Sequence, residues 1–241
     1  MSPRAKSPPF TPSVVIVAGF DPSGRAGLLA DVWAVRSSGA TALGVITALT
    51  AQGSKFVSEP VAPKLIGQQL AAALGTAKVA AAKLGMIPDR RALKAIVAAL
   101  APGTFPIVID PVVRTSRGEP LSSLTPQDYL QLGKQLRRVI LTPNRNELAW
   151  LGASPTDLLL LGFLGVVVKG SDSAIDEVFT RKGRQVLRGA RLPRNTSHHR
   201  GTGCRFGSGL AASLARGEDL FRAAREAKRL VRKFLRGPIL P

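Results

Sequence analysis

The stretch Ser13-Val-Val-Ile-Val-Ala-Gly19 decides the fold, because it is a short run of apolar, mostly β-branched residues that ends in a glycine. Such a run predicts a strand that is buried on both faces of a parallel sheet. A turn, Phe20-Asp-Pro-Ser-Gly24, follows the run, and the segment from Ala26 to Ser38 has a helical pattern. The order strand, turn, helix is the building unit of α/β proteins.

The same alternation continues along the chain. Further apolar runs predict strands, and amphipathic or proline-opened segments predict helices between them. The expected strands are Ala42–Thr50, Val79–Leu84, Pro106–Asp110, Val139–Thr142, Gly165–Lys169 and a hairpin of Asp176–Thr180 with Gln185–Leu192, and the expected helices are Pro63–Leu74, Pro88–Leu100, Pro155–Leu161, Gly201–Ala215 and Asp219–Leu235. This order predicts a single α/β domain over residues 13–237, with a mostly parallel sheet covered by helices on both faces. Residues 1–12 are expected to be a disordered, basic, proline-rich leader.

The composition excludes several classes of protein. Of the 241 residues, 45% are hydrophobic, which is enough for a substantial core. A single cysteine excludes an internal disulfide framework and indicates a reducing compartment. No apolar run approaches the roughly 20 residues of a membrane span, and the leader lacks the apolar centre of a secretory signal. We therefore expect a cytoplasmic protein with no membrane partner.

The charge is strongly basic, with 34 lysines and arginines against 15 acidic residues and a formal net charge of +19. Between Arg181 and Arg236 there are 16 basic and 3 acidic residues. Such a field attracts anions, including nucleotides and nucleic acids. Only 5% of the residues are aromatic, however, so platforms for stacking single strands are scarce. We favour a solvated basic surface and expect no specific nucleic-acid partner.

The stretch Arg200-Gly-Thr-Gly-Cys204 opens a predicted helix and contains the only cysteine. Free N–H groups and the helix dipole favour an anion at such a helix start. Glycines allow an anion to approach the backbone closely. A cysteine in that position is expected to ionise more easily than a free one. The alternative is an ordinary glycine-rich loop followed by a small helix with a buried cysteine.

Polar residues follow several of the predicted strands, at the edge of the sheet where ligands bind in α/β proteins. Three of them also have a purely structural interpretation: Asp110 as a turn cap, Asn144 with Glu147 as a capping box, and Lys169 as a solvated strand end. Because all of these residues are expected at one edge of the sheet, we favour a functional site over the structural interpretations. The residues concerned are Asp21, Gln52, Asp110, Asn144 and Lys169.

A set of short motifs resembles one known family in content and order. They are Ala18-Gly-Phe-Asp-Pro-Ser-Gly24, Val45-Ile-Thr-Ala-Leu-Thr-Ala-Gln52, Lys83-Leu-Gly-Met86, Ile109-Asp-Pro-Val112, Thr142-Pro-Asn144 with Glu147, Val168-Lys-Gly170 and Gly201-Thr-Gly-Cys204. The chain resembles the hydroxymethylpyrimidine/phosphomethylpyrimidine kinases of the ribokinase-like superfamily, from about Val14 to Lys233. The resemblance implies a three-layer α/β/α fold and a homodimer.

The resemblance also implies a reaction of thiamine biosynthesis. The family uses Mg²⁺ and ATP to phosphorylate 4-amino-5-hydroxymethyl-2-methylpyrimidine and then its monophosphate. The amide of Gln52 has the donor and acceptor needed to bind an aminopyrimidine edge, and Met86 would supply an apolar face for the ring. The residues that would line the pyrimidine pocket are Gly19, Asp31, Gln52, Met86 and Val112.

By the same resemblance, Cys204 would be the general base near the substrate hydroxyl. Gly201, Thr202 and Gly203 would form the anion hole for the transferring phosphoryl group. Asp110, Asn144 and Lys169 would serve the nucleotide phosphates, and Glu147 would serve the magnesium ion. Such a division suits phosphoryl transfer, which depends mainly on positioning and charge neutralisation.

Several arginines depart from the family pattern. Arg25 replaces a glycine in the glycine-rich turn, where a positive φ would strain it. Arg114 or Arg117 stands in for a lysine, and Arg200 precedes the glycines of the anion hole. Arg205 falls in the first turn of a helix, where a cation is unfavourable unless a phosphate is bound. Two alternatives therefore stay open: a pyridoxal kinase-like enzyme, and a catalytically impaired pyrimidine-binding module.

Overall fold

The computed structural model describes residues 11–52, 56–115, 117–170, 175–189 and 200–236. All but the last two residues of the expected leader lie outside these ranges, and so does Leu192, the expected end of the hairpin. The division into a leader and one domain over residues 13–237 stays a prediction.

The described strands form one sheet, in the order β3-β2-β1-β4-β5-β6-β7-β8-β9. The pairs from β2 across to β7 are parallel, whereas β3, β8 and β9 pair with their neighbours in antiparallel fashion. The strands are β1 (Ser13–Phe20), β2 (Thr41–Gln52), β3 (Phe56–Pro60), β4 (Val79–Leu84), β5 (Ile107–Ile109), β6 (Val139–Leu141), β7 (Gly165–Val168), β8 (Ile175–Thr180) and β9 (Gly183–Arg188). The predicted mostly parallel sheet is confirmed.

Strand β3 was not expected from the sequence, because Phe56-Val-Ser-Glu-Pro60 is short and mixed in polarity. It pairs with the end of β2, where Gln52 lies opposite Phe56. The hairpin is confirmed, although its second strand begins two residues earlier than expected, at Gly183.

Helices connect the parallel strands of the sheet, and two further helices follow β9. Asp89 caps the third helix, because its carboxylate accepts a hydrogen bond from the Ala92 N–H at 2.8 Å. The helices are α1 (Gly27–Ser37), α2 (Pro63–Thr76), α3 (Arg90–Leu100), α4 (Pro126–Leu130), α5 (Leu132–Gln135), α6 (Arg145–Leu151), α7 (Pro155–Leu160), α8 (Thr202–Ala215) and α9 (Leu220–Arg236). None of the helices in the described ranges has the length and apolar character needed to cross a membrane.

The sheet separates two apolar cores, as alternation along β1 shows. Val15 and Val17 pack on the face covered by α2 to α7, while Val14 and Ile16 pack on the face covered by α1, α8 and α9. Successive strand residues point to opposite faces, so a strand buried on both faces is apolar along most of its length. The three-layer α/β/α prediction is confirmed, and α8 begins beside the carboxyl ends of the central strands.

Candidate functional site

The site is built around the starts of two helices. Gly201 precedes α8 with a φ of +78°, and a Cβ there would lie 2.0 Å from the carbonyl oxygen of Arg25. Gly27 begins α1 with a φ of +61°, and a Cβ there would lie 2.4 Å from the carbonyl oxygen of Gly19. No other residue type fits either position without moving the backbone. Two sets of free helix N–H groups therefore converge on one place.

Cys204 lies between these two helix starts. Its thiol accepts a hydrogen bond from the Gly27 N–H. Burial nevertheless raises the pKa of the Cys204 thiol to about 11, and the nearby Lys83 ammonium only partly offsets this effect. The expectation that Cys204 ionises more easily than a free cysteine is therefore wrong for the ligand-free chain. A helix start favours the thiolate, but loss of hydration outweighs it here.

Asp110, Lys169 and Glu147 form a charged cluster over the start of α8. Lys169 Nζ lies 2.6 Å from Asp110 Oδ1 and 3.8 Å from Glu147 Oε2. Burial on its own lowers the pKa of Lys169, but the two carboxylates outweigh it and the net shift is upward. A Cβ on Gly203 would lie 3.4 Å from both Asp110 Oδ2 and Lys169 Nζ. The cluster thus lies beside the backbone predicted to hold a phosphoryl group.

Asn144 and Glu147 form the capping box of α6. The Asn144 side chain accepts from the Glu147 N–H at 2.8 Å, and Glu147 Oε2 accepts from the Asn144 N–H at 2.7 Å. The structural interpretation of this pair is therefore correct, yet the same Glu147 oxygen faces Lys169. Burial raises the pKa of Glu147, although Lys169 acts in the opposite direction. The described residues contain no group of three or more His, Cys, Asp or Glu side chains placed to hold a metal by themselves.

Gly19 and Met86 meet at the ends of β1 and β4. A Cβ on Gly19 would lie 2.7 Å from the sulfur of Met86, so the glycine makes room for the thioether. Thr47 fixes the backbone there, because its hydroxyl donates to the Met86 carbonyl oxygen at 2.7 Å. Val112, just after β5, is half-buried and donates its N–H to the Asp110 carbonyl oxygen at 2.8 Å.

Gln52 lies at the mouth of the site, in contact with Arg200. The Arg200 guanidinium donates to the side-chain oxygen of Gln52, and the Gln52 amide nitrogen lies 3.4 Å from the Thr50 hydroxyl. A small pocket joins these residues to Arg117 and Glu119. Arg200 is one of the departures from the family pattern. It thus binds the side-chain oxygen of Gln52 that was predicted to accept a hydrogen bond from the pyrimidine. Arg114 instead donates to the Gly118 carbonyl oxygen at 2.9 Å.

Asp31 belongs to a buried ion pair that the sequence did not reveal. Asp31 and Lys83 have 0% of their side chains exposed, and Lys83 Nζ lies 2.7 Å from Asp31 Oδ2. The Ser208 hydroxyl donates to Asp31 Oδ1 at 2.8 Å. Both carboxylate oxygens are therefore engaged within the protein, and a direct contact of Asp31 with a substrate stays a prediction. Lys83 was visible only as part of the motif that ends in Met86.

The arginine in the glycine-rich turn does not strain the backbone. Gly24 and Gly27 carry the positive φ angles of that turn, at +68° and +61°. Of the non-glycine residues in the described ranges, only Arg138 has a positive φ. The strain expected at Arg25 is therefore absent, because the flanking glycines absorb the turn.

Asp21 in the same turn is 2% exposed. Its Oδ1 accepts from the Ser23 N–H at 3.0 Å, whereas its buried Oδ2 has no hydrogen-bond partner. Such an oxygen is an unused acceptor beside the start of α1.

Arg205 occupies the first turn of α8 but does not extend toward an anion there. Its side chain is 3% exposed in the folded chain. Its guanidinium donates to backbone carbonyl oxygens of the two loops beside it. Those carbonyls offset the unfavourable effect of the helix dipole on a cation, so the expected need for a bound phosphate does not arise.

A cavity of about 510 Å³ lies away from these residues. It is bounded by α6, the start of α7 and strands β7 and β8, and its lining includes Arg145, Leu148, Val168 and Phe179. It contains none of the residues predicted for the site, and we assign it no role in the chemistry.

Comparison with solved structures defines the class of protein. A phosphomethylpyrimidine kinase from Clostridium difficile 630 superposes with a TM-score of 0.76 at 25% identity, over 94% of this chain and 100% of that one. The pyridoxal kinase of Bacillus subtilis, in an ADP complex, superposes with a TM-score of 0.80 at 24% identity, over 91% and 90%. The fold is that of the ribokinase-like small-molecule kinases.

Sequence comparison defines the family. A profile described as phosphomethylpyrimidine kinase matches residues 21–239. A hydroxymethylpyrimidine/phosphomethylpyrimidine kinase from Staphylococcus aureus (strain MRSA252) is 30% identical over 89% of this chain and 84% of its own length. Another from Streptomyces coelicolor is 30% identical over 94% and 90%. The chain belongs to the phosphomethylpyrimidine kinase family.

Proposed function

We propose that this chain transfers the γ-phosphoryl group of ATP to the hydroxymethyl oxygen of 4-amino-5-hydroxymethyl-2-methylpyrimidine, and then phosphorylates the resulting monophosphate. Membership of the family supports this substrate class. The observation that carries the chemistry is the position of Gly203 at the start of α8, where a Cβ built on the glycine would lie 3.4 Å from both Asp110 Oδ2 and Lys169 Nζ. Backbone amides, a dipole and a lysine there are the groups that stabilise a migrating phosphoryl anion.

In the proposed reaction the substrate oxygen forms a bond to the γ-phosphorus as the bond to the β–γ bridging oxygen breaks. The electron pair of that bond leaves with ADP. The N–H groups of Gly201–Gly203 and the Lys169 ammonium face the charge that develops on the phosphoryl oxygens. Because such transition states are loose, most of the rate comes from alignment and charge neutralisation.

Mg²⁺ would be held by Asp110 and Glu147, together with water and phosphate oxygens. These carboxylates fit the ion, because Mg²⁺ prefers hard oxygen ligands and takes only one or two carboxylates beside a nucleotide. When bound, it supplies charge neutralisation between the phosphates. Lys169 Nζ lies 2.6 Å from Asp110 Oδ1 and 3.8 Å from Glu147 Oε2, so its ammonium would contact the nucleotide phosphates beside these carboxylates.

Cys204 is proposed to accept the proton of the substrate hydroxyl. Only the thiolate can do so, and the thiol pKa of about 11 keeps the ligand-free protein protonated at neutral pH. If Cys204 is the base, kcat/KM rises with pH from 7 toward 10, because kcat/KM reports the groups of the free enzyme. A kcat/KM that is flat across that range, or turnover that survives Cys204→Ala unchanged, would reject this role.

The test of the function is release of ADP with purified protein, Mg-ATP and the pyrimidine alcohol or its monophosphate. Lys169→Met should abolish turnover, because it removes the cation beside the phosphoryl seat. Lys134→Met, at an exposed position of α5, is the matched control and should keep full turnover. Absence of ADP release by the wild-type protein with both pyrimidines would refute the proposal.

Pyridoxal is the second candidate substrate, and the contact between Arg200 and Gln52 favours it. An aminopyrimidine needs the Gln52 oxygen as an acceptor, but Arg200 donates to that oxygen. The phenolic oxygen on the pyridoxal ring, being an acceptor itself, would instead receive a hydrogen bond from Arg200. Comparing kcat/KM for the two alcohols in the wild-type protein and in Arg200→Ala decides between them. A preference for pyridoxal that Arg200→Ala reverses would support this candidate.

A homodimer in a reducing, cytoplasmic compartment completes the proposal. Leu49 and Val57 are 51% and 56% exposed on neighbouring strands β2 and β3. Exposed apolar side chains on paired strands at the edge of a sheet are typical of a subunit interface. Sedimentation of the purified protein at several concentrations tests the dimer.

A further inference from the structure

Arg205 joins two loops that are distant in sequence and adjacent in the site. Its Nη1 lies 2.8 Å from the carbonyl oxygen of Arg25 and 3.3 Å from those of Arg200 and Gly201. Its Nη2 lies 3.5 Å from the carbonyl oxygen of Gly24. One guanidinium thus bridges the glycine-rich turn before α1 and the start of α8.

The two loops need such a cation between them. A Cβ on Gly201 would lie only 2.0 Å from the Arg25 carbonyl oxygen, so the two backbones are in contact. Carbonyl oxygens carry partial negative charge, and several that converge on one place repel each other unless a donor lies between them. A planar guanidinium with five N–H donors can serve both loops at once, which a lysine ammonium does less well.

The other side of the guanidinium is covered by aromatic rings. Its central carbon lies 3.7 Å from the centroid of the Phe234 ring and 5.4 Å from that of Trp33. The two rings also contact each other edge to face, with centroids 5.7 Å apart. Because Phe234 belongs to α9 and Trp33 to α1, the rings hold the arginine from two further elements.

We propose that Arg205 is a positioning residue that fixes the glycine-rich turn against the start of α8, with Phe234 of the last helix holding it in place. This rests on the proposed function, because the Gly201–Gly203 amides are the groups it positions. Arg205 itself touches neither substrate nor nucleotide. It keeps those amides, and the adjacent Cys204, in their arrangement before a ligand binds.

Arg205→Met removes the donors and keeps an apolar side chain against the rings. It is expected to lower kcat about 100-fold, the loss typical of a displacement of reacting groups by about 1 Å, with a smaller change in KM for the alcohol. Arg205→Lys should restore part of kcat, because charge returns without the planar fork. Phe234→Leu should lower kcat in the same direction, since the ring face is lost. Arg225→Met, at an exposed position of α9, is the matched control and should leave kcat unchanged.

The single cysteine gives a readout that does not need turnover. Cys204 is the only thiol of the chain, so its alkylation by iodoacetamide reports the geometry of the α8 start. Inorganic phosphate should slow alkylation of the wild-type protein, and Arg205→Met should abolish that protection and raise the basal rate. Circular dichroism shows whether each variant is folded.

Three results would overturn the role of Arg205 or distinguish its failure from a failure of the proposed function. A folded Arg205→Met protein with wild-type kcat and wild-type alkylation rate overturns the role of Arg205. If Arg205→Met does not fold, Phe234→Leu with wild-type kcat and alkylation overturns it instead. A wild-type protein that phosphorylates none of the alcohols refutes the proposed function, and the basal alkylation rate then decides about Arg205 alone.

Discussion

Replacing Lys83 by methionine should destabilise the protein more than any change of an exposed lysine. In the wild-type protein Lys83 and Asp31 are both 0% exposed and 2.7 Å apart, and Ser208 donates to the other carboxylate oxygen. Lys83→Met leaves Asp31 buried, with the Ser208 hydroxyl still donating to its Oδ1. Removing one member of a buried pair costs about 3–5 kcal/mol, because the remaining charge is uncompensated.

The pH dependence of this loss has a definite sign. Burial raises the pKa of Asp31 in the wild-type protein, even though Lys83 acts to lower it. Without Lys83 the pKa of Asp31 in the folded chain must rise further above its unfolded value, so the folded state binds the proton more tightly. Protonation then relieves the buried charge, and the stability deficit of Lys83→Met shrinks as pH falls from 7 toward 5.

Urea unfolding at pH 7 and pH 5 measures both effects. Lys78→Met, at an exposed position just before β4, is the control and should stay within about 0.5 kcal/mol of the wild type. The double variant Lys83→Met/Asp31→Leu should recover much of the loss, because both charges are then removed. A Lys83→Met protein as stable as Lys78→Met at pH 7 would refute the reasoning.

Three further predictions follow from the geometry. Burial raises the pKa of the Cys204 thiol to about 11 from its usual 9, so at pH 9 Cys204 should be alkylated more slowly in the folded protein than in urea. The alkylation rate of the folded protein should still rise above pH 10. Equal rates in the folded and unfolded protein would contradict the burial effect. Gly201→Ala should abolish turnover, since its Cβ would lie 2.0 Å from a backbone oxygen. Gly217→Ala is the control, because Gly217 also has a positive φ, of +88°, but has open space around it. This variant should lower the free energy of unfolding by only about 1–2 kcal/mol in thermal or urea unfolding and keep turnover. Val57→Glu should convert a dimer into monomers in sedimentation, and a protein that is monomeric without the change would remove the dimer from the proposal.

Much of the fold could be predicted because strand and helix patterns are local. The apolar runs at Ser13–Gly19 and Gly165–Lys169 identified central strands, since strands buried on both faces are mostly apolar. The strand at Phe56–Pro60 was missed, because it is held by pairing with the end of β2 rather than by its own composition. Hydrogen bonds to a neighbouring strand do not require a recognisable residue pattern in so short a segment.

The location of the candidate site could be predicted from the sequence, whereas the protonation states of its residues could be predicted less well. Polar residues at strand ends must share one edge of a parallel sheet, so Asp110 and Lys169 were expected together, and they form an ion pair at 2.6 Å. The protonation of Cys204 was misjudged, because its pKa depends on how much water the folded chain leaves around the sulfur. A helix start favours an anion only where burial does not outweigh it.

The sequence by itself determined the family and most of the order of strands and helices, and it predicted an anion-binding role for the start of α8. Tertiary structure alone decided that Lys83 neutralises Asp31, which lies 52 residues earlier, and that Arg205 binds the loop at Arg25, which lies 180 residues earlier. Backbone preferences act over a few neighbouring residues and are therefore visible along the chain. Burial, partner choice and pKa depend on which distant segments pack together, and those are fixed only when the whole sheet has assembled.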